Sequence, residues 1–101
     1  AIPDPSKLGR RTAALIGLQV DPALVDRVSG ELAEINDVQY VAITTGSYDI
    51  FLWVSLGSPE ELSIFLRDQV GAISGIRRTE TFVNLAIKKN PAGPSTMAAI
   101  R

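Results

Sequence analysis

The chain has 101 residues, of which 46% are hydrophobic, with a formal net charge of −1 and a mean hydropathy of +0.17. This length suits one domain with its own core, and the balanced charge excludes a strongly basic surface for nucleic acid. Histidine and cysteine do not occur, which excludes disulfides, Cys/His zinc sites and His-based triads. Without a membrane-length apolar run or a signal peptide at the N-terminus, we expect a cytoplasmic protein.

The first third of the chain predicts a linker, a strand and a helix. Residues 1–11 are rich in proline and glycine, as linkers are. Residues 12–20 are short, apolar on both alternating faces and typical of a strand. Asp21 and Pro22 then resemble an N-cap followed by a first-turn proline, and the spacing of apolar residues predicts an amphipathic helix over 22–35.

The middle of the chain predicts a hairpin followed by a second capped helix. Strands are expected over 38–45 and 50–56, because apolar and β-branched residues dominate both runs. The next helix begins with Ser58 as N-cap, Pro59 at the first position and Glu61 at the third, which is the spacing of a capping box.

The second helix is expected to end at Gly75, and the alternating residues 76–89 predict a long last strand. Residues 90–101 contain two prolines and a glycine and predict a mobile tail, which leaves 12–89 as the folded domain. The order βαββαβ is that of the α+β ferredoxin-like sandwich, with four antiparallel strands and two helices on one face. The first and third strands are expected at the centre of the sheet.

The sheet face that the helices leave open is predicted to be apolar. In strand 50–56, Phe51 and Trp53 alternate with the other apolar residues and therefore point to the opposite face. An antiparallel sheet that faces water on one side is normally polar there. Burying such a side chain contributes about 1.5–3 kcal/mol, so we predict a homodimer or larger assembly with Phe51 and Trp53 at its interface. The alternative is that the C-terminal tail covers this face.

The turn between the two hairpin strands carries an unusual combination of groups. Gly46 permits a positive φ, Ser47 and Tyr48 bring hydroxyl groups, and Asp49 brings a negative charge. Backbone N–H and hydroxyl groups suit a carboxylate, and Asp49 suits an ammonium, so the turn is a candidate cradle for a zwitterion. The alternative is a wide hairpin in which Asp49 makes an Asx-turn and Tyr48 packs on the surface. No motif for a catalytic centre, a metal ion or a bound phosphate is recognisable.

The segments ITTGSYDIFLWV (43–54) and SGIRRTETFVNLAIKK (74–89) resemble the effector domain of the Lrp/AsnC transcription regulators, also called the RAM domain. The resemblance covers residues 12 to about 89. The matching positions are the T-G-x-Y-D turn at 45–49, Gly75, Ile76, Thr79, Thr81 and the closing Lys88. The head, DPSKLGR (4–10), resembles the segment that joins this domain to an N-terminal helix-turn-helix in the family.

The resemblance implies that the domain dimerises through its sheets, that dimers form rings, often octamers, and that a small effector binds between neighbouring dimers. The effector is typically an amino acid, and DNA is bound only through the N-terminal domain that this chain lacks. No cofactor, metal, membrane or catalytic residue is implied. The positions implied in effector binding or response are Gly46, Ser47, Tyr48, Asp49, Thr79, Thr81, Phe82, Val83 and Asn84, with Asp49 the foremost.

Three alternatives remain open from the sequence. One is a stand-alone RAM protein, and another is a structural assembly module that binds no ligand. A small enzyme of the dimeric α+β barrel kind also pairs two such sheets, although the absence of histidine argues against it.

Overall fold

A computed structural model of the protein describes residues 11–89. The predicted linker and tail therefore lie outside the described residues, except for Arg11. The strands are β1 (Thr12–Val20), β2 (Val38–Ile43), β3 (Ile50–Leu56) and β4 (Ile76–Val83). The helices are α1 (Val25–Ala33), preceded by a 3₁₀ turn (Pro22–Leu24), and α2 (Pro59–Ile64), continued by a π-helical segment (Phe65–Val70). Nowhere in residues 11–89 is a helix long and apolar enough to cross a membrane.

The four strands form one antiparallel sheet in the order β2-β3-β1-β4, which confirms the predicted ferredoxin-like sandwich and its two central strands. One alternating set of residues on β1 and β3 packs in a single core with both helices. Its fully buried members are Ala14, Ile16, Leu18, Val28, Leu32, Ile50, Leu52 and Val54. The helices therefore cover one face of the sheet, and the other face is left open.

Both helix starts form as the sequence predicts. The Asp21 carboxylate accepts a hydrogen bond of 3.1 Å from Ala23 N–H, and Pro22 occupies the first turn. The Ser58 hydroxyl accepts from Glu61 N–H over 3.2 Å, which is one half of the predicted capping box. Each bond satisfies a backbone donor that has no partner within its helix.

The structure corrects the predicted end of the second helix. Helical structure ends at Val70, and the Gly71 N–H donates to the Leu66 carbonyl over 2.9 Å in a five-residue, π-type turn. Gly75 lies farther on, at the entry to β4, with φ of +102°, and its carbonyl accepts from Asp21 N–H over 2.9 Å. Its positive φ thus redirects the chain into the sheet instead of ending the helix.

The last strand is also shorter than the predicted 76–89. It ends at Val83, which pairs with Ala14, and one more hydrogen bond joins Asn84 N–H to the Ala13 carbonyl over 3.0 Å. The alternating sequence continues beyond this point, but regular pairing with β1 stops two residues short of the start of that strand at Thr12. Similarly, β2 ends at Ile43 instead of residue 45.

The position of β4 depends on Gly75, so Gly75→Ala should lower the free energy of unfolding. A Cβ there would lie 2.8 Å from Leu24 Cδ1, and the positive φ alone costs an L-residue about 1–2 kcal/mol. The control is Gly30→Ala in α1, where a Cβ would meet no atom within 4 Å. This substitution should stabilise the helix by about 0.5–1 kcal/mol. Urea unfolding at one protein concentration compares them, and equal stabilities would contradict this role of Gly75.

Candidate functional site

The turn between β2 and β3 is held by hydrogen bonds within itself and to the end of β1. The Thr44 N–H donates to the Asp49 carbonyl over 2.9 Å, and the Thr44 hydroxyl donates to the Tyr48 carbonyl over 3.0 Å. The Gln19 side-chain amide on β1 donates to the Ser47 carbonyl over 3.1 Å. The turn therefore has a defined shape, set partly by a strand that is distant in sequence.

Asp49 joins this turn to β1 through both its backbone and its side chain. Its N–H donates to the Leu18 carbonyl over 2.8 Å, and its Oδ2 accepts from Val20 N–H over 2.8 Å. The carboxylate thus extends the β1–β3 ladder past its last pair, where the pairing of β1 with β4 is irregular. A carboxylate has about four lone-pair positions, so this bond orients the side chain and leaves capacity to accept from a ligand.

Gly46 and Ser47 present the exposed part of the turn. Gly46 has a φ of +103°, and a Cβ there would meet no atom within 4 Å, so the space beside its backbone is open. Ser47 is exposed, and its carbonyl is occupied by Gln19. These two residues and Asp49 are brought together at one end of the sheet, as the zwitterion hypothesis requires.

The Tyr48 ring leaves the turn and lies on the open face of the sheet. It packs over Gly17, where a Cβ would lie 2.8 Å from Tyr48 Cγ. Its ring centroid is 5.5 Å from that of Phe51 and 6.4 Å from that of Phe82, both in edge-on geometry. The alternative drawn from the sequence is therefore right about Tyr48, which packs on a surface, and wrong about Asp49, whose carboxylate binds another strand instead of forming an Asx-turn.

The open face carries a row of large apolar side chains that crosses all four strands. Register pairs Tyr40 with Trp53, Trp53 with Leu15 and Leu15 with Phe82. Tyr40 is 58% exposed and Phe82 41% exposed, whereas Leu15, Trp53 and Phe51 are partly buried. We use "open face" below for these five residues together with Tyr48.

Thr79 and Thr81 lie on the opposite side of β4 from Tyr48. They pair with Leu18 and Ile16, whose side chains are buried under the helices, so both threonines face the helical layer. There they line a groove of about 350 Å³ between β4 and the π-helical end of the second helix. Within one subunit they therefore lie on the other side of the sheet from the Tyr48 ring.

The remaining predicted effector-binding residues lie near the end of β4, and their side chains do not all lie on the same face of the sheet. Phe82 faces the open side beside Tyr48, whereas Val83, which is 48% exposed, pairs with Ala14 on the helical side. Asn84 follows the strand. One subunit therefore does not gather the nine candidates into one cavity.

Two residues on β1 that the sequence analysis did not single out complete the site. Gln19 holds the Ser47 carbonyl, and Gly17 provides the gap in which the Tyr48 ring lies. A glycine inside a predicted strand is itself a signal of close approach by another group. Gln19 has no such signal, because its role depends on the pairing of β1 with β3.

The family model described as the Lrp/AsnC ligand binding domain matches residues 13–93 of the chain. An uncharacterized HTH-type transcriptional regulator from Pyrococcus furiosus is 42% identical over 89 residues, which are 88% of this chain and 60% of that relative. The chain thus spans less than two thirds of the length of this relative.

Solved structures share the same fold. The structure of E. coli AsnC superimposes with a TM-score of 0.74 at 27% identity, covering 90% of this chain and 60% of AsnC. A transcriptional regulator from Neisseria meningitidis, crystallised as a complex with L-Met, has a TM-score of 0.74 at 18% identity, covering 89% of this chain and 60% of that one. At this lower identity the likeness shows the fold alone.

The bond between Asp49 and Val20 predicts different effects for two substitutions. Asp49→Ala leaves the Val20 N–H without its acceptor and should cost about 1–3 kcal/mol of unfolding free energy. Asp49→Asn keeps an oxygen acceptor and should cost less. Urea unfolding of the two variants at one protein concentration measures the difference. If alanine and asparagine destabilise equally, the side-chain hydrogen bond does not contribute as described.

Proposed function

Since this chain belongs to the family of Lrp/AsnC ligand binding domains, we propose that it senses a small effector for a transcription regulator and does so as an assembly of several copies. Membership in this family confirms the prediction that the chain is not an enzyme. In the proposal, DNA is bound by a helix-turn-helix domain outside this chain. The HTH-type names of longer relatives support that arrangement.

The effector in this proposal is an α-amino acid, and the oriented carboxylate of Asp49 is the observation that carries it. The Val20 N–H fixes Asp49 at the rim of the turn, where it can accept from an ammonium group. The open backbone at Gly46 and the Ser47 hydroxyl suit the effector's carboxylate in the same turn. The Neisseria regulator, which shares the fold, was itself crystallised as a complex with an amino acid, L-Met.

Assembly through the open face is the second part of the proposal. Six large apolar or aromatic side chains lie together on a face that neither helix covers, and such a patch is typical of a subunit interface. A second copy of the same sheet supplies a surface of matching size and chemistry, as two-fold symmetry requires. Phe51 and Trp53 keep their predicted place in this interface.

In the proposal, the complete effector site includes residues of more than one subunit. Thr79 and Thr81 face the helical layer, whereas the Tyr48 ring lies on the other side of the sheet, and this difference favours a contribution of the threonines from a neighbouring copy. This agrees with the expectation that the ligand binds between dimers, in a ring such as an octamer. The ligand-free assembly module is the alternative that amino-acid calorimetry distinguishes, and the stand-alone RAM protein is a second alternative that also binds an effector.

Assembly through the open face can be tested with lysine substitutions at two exposed apolar positions. The wild-type chain should show a light-scattering mass of at least twice its 10.8 kDa. Phe82→Lys should dissociate the sheet pair, because each buried phenylalanine contributes about 1.5–3 kcal/mol. Ile64→Lys is the matched control: Ile64 is 48% exposed on α2 and outside the open face, so its substitution should leave the sheet pair intact. A monomeric wild type would contradict the proposal.

Effector binding can be tested by calorimetry of the wild type against the twenty amino acids. At least one should bind, and Asp49→Asn should weaken it by about 10- to 100-fold, since a hydrogen bond to a charged group contributes about 1.5–3 kcal/mol. Asp26→Asn, at an exposed position of α1, should bind as the wild type does. No heat from any amino acid with an intact assembly would favour the structural module, and unchanged binding by Asp49→Asn would overturn the role of Asp49.

A further inference from the structure

The Tyr48 side chain is directed away from the turn to which its backbone belongs. Its carbonyl accepts from the Thr44 hydroxyl inside the turn, whereas its ring packs over Gly17 on the open face. The ring makes edge-on aromatic contacts with Phe51 and Phe82. Tyr48 is thus the residue of the described turn whose side chain reaches the surface that a second subunit is proposed to cover.

Gly17 is what allows the ring to lie there. Residue 17 is on a central strand, between Phe51 on β3 and Glu80 on β4. Glycine inside a strand loses more chain entropy on folding than other residues and offers no side chain to pack. A Cβ at this position would come within 2.8 to 3.1 Å of three ring atoms of Tyr48, so any larger residue would push the ring off the sheet.

The ring also completes the apolar surface. The row formed by Tyr40, Trp53, Leu15 and Phe82 is continuous across the four strands, but the next row would be interrupted at Gly17. The Tyr48 ring fills that interruption beside Phe51 and extends the apolar surface toward the turn, with Glu80 beyond Gly17 in the same row. This continuity argues for one large flat partner, a second copy of the same sheet, as the occupant of the open face.

We propose that Tyr48 is a subunit-interface residue, seated by Gly17, and that the effector turn and the interface therefore share one side chain. This inference rests on the proposed assembly through the open face. An effector that shifts the turn backbone shifts the Tyr48 ring against the partner subunit. By reciprocity, a partner that clamps the ring alters the affinity of the turn for its effector by the same factor.

The inference is tested by measuring the dimer dissociation constant of four variants by sedimentation at serial dilutions, without any amino acid. Tyr48→Ala should weaken the dimer by about 10- to 100-fold, as truncation of an interface aromatic does. Gly17→Ala should weaken it by about tenfold, because the displaced ring no longer fits. Tyr48→Phe keeps the ring and should remain within about twofold of the wild type. Gly30→Ala, the matched glycine control, should match the wild type.

The double variant Gly17→Ala/Tyr48→Ala separates a specific contact from general damage to the fold. If Gly17 acts only by seating the ring, the double variant should dimerise as weakly as Tyr48→Ala and no more so. Additive losses would mean that Gly17 acts independently of Tyr48. Circular dichroism of each variant verifies that the sheet is formed.

The outcomes distinguish this inference from the proposed function. A wild-type dimer that neither Tyr48→Ala nor Gly17→Ala weakens overturns the inference and leaves assembly and effector sensing in place. A wild type that is monomeric at all concentrations overturns the assembly and the inference together. If Tyr48→Phe weakens the dimer as much as Tyr48→Ala, the hydroxyl and not the ring makes the contact, which contradicts the packing argument.

Discussion

The central constraint on this molecule is that both helices pack on one face of a four-stranded sheet. The core between sheet and helices is satisfied within one chain, with Ile16, Leu18 and Leu52 fully buried. The opposite face has no comparable cover in residues 11–89, yet it carries Leu15 and five aromatic side chains. Apolar surface of this kind favours association, so the one-sided packing supports the proposed subunit interface.

The turn at 44–49 depends on the same sheet. Its shape is set by the end of β1, where Gln19 and Val20 bind the Ser47 carbonyl and the Asp49 carboxylate. Strand β1 thus contributes to the core with one set of residues, to the open face with the other and to the turn with its last two. In the proposal, the effector and the partner subunit contact neighbouring parts of β1 and the adjoining turn, which gives the proposed coupling a short physical path.

The sequence predicts those features that depend on residues close together in the chain, and it does not predict those that depend on how distant strands pair. Caps at Asp21 and Ser58 are local hydrogen bonds, and both form as predicted. The end of β4 is not a local feature, because the alternation continues past Val83 while regular pairing with β1 stops there. The direction of the Tyr48 ring depends on Gly17, and that pairing follows only from the register of β1 and β3. By contrast, the placement of Thr81 and Phe82 on opposite faces could be predicted from the sequence, because successive side chains of a strand point to opposite faces.

The chain has a single tryptophan, Trp53, at the middle of the open face, and its accessibility tests the account most directly. Acrylamide quenching of Trp53 fluorescence should be weak in the assembled protein and should increase on dilution as the light-scattering mass falls toward that of one chain. This result would place the subunit contact on the open face. If quenching is strong and unchanged by dilution while the protein remains assembled, the subunits meet elsewhere, and the account of the open face is wrong.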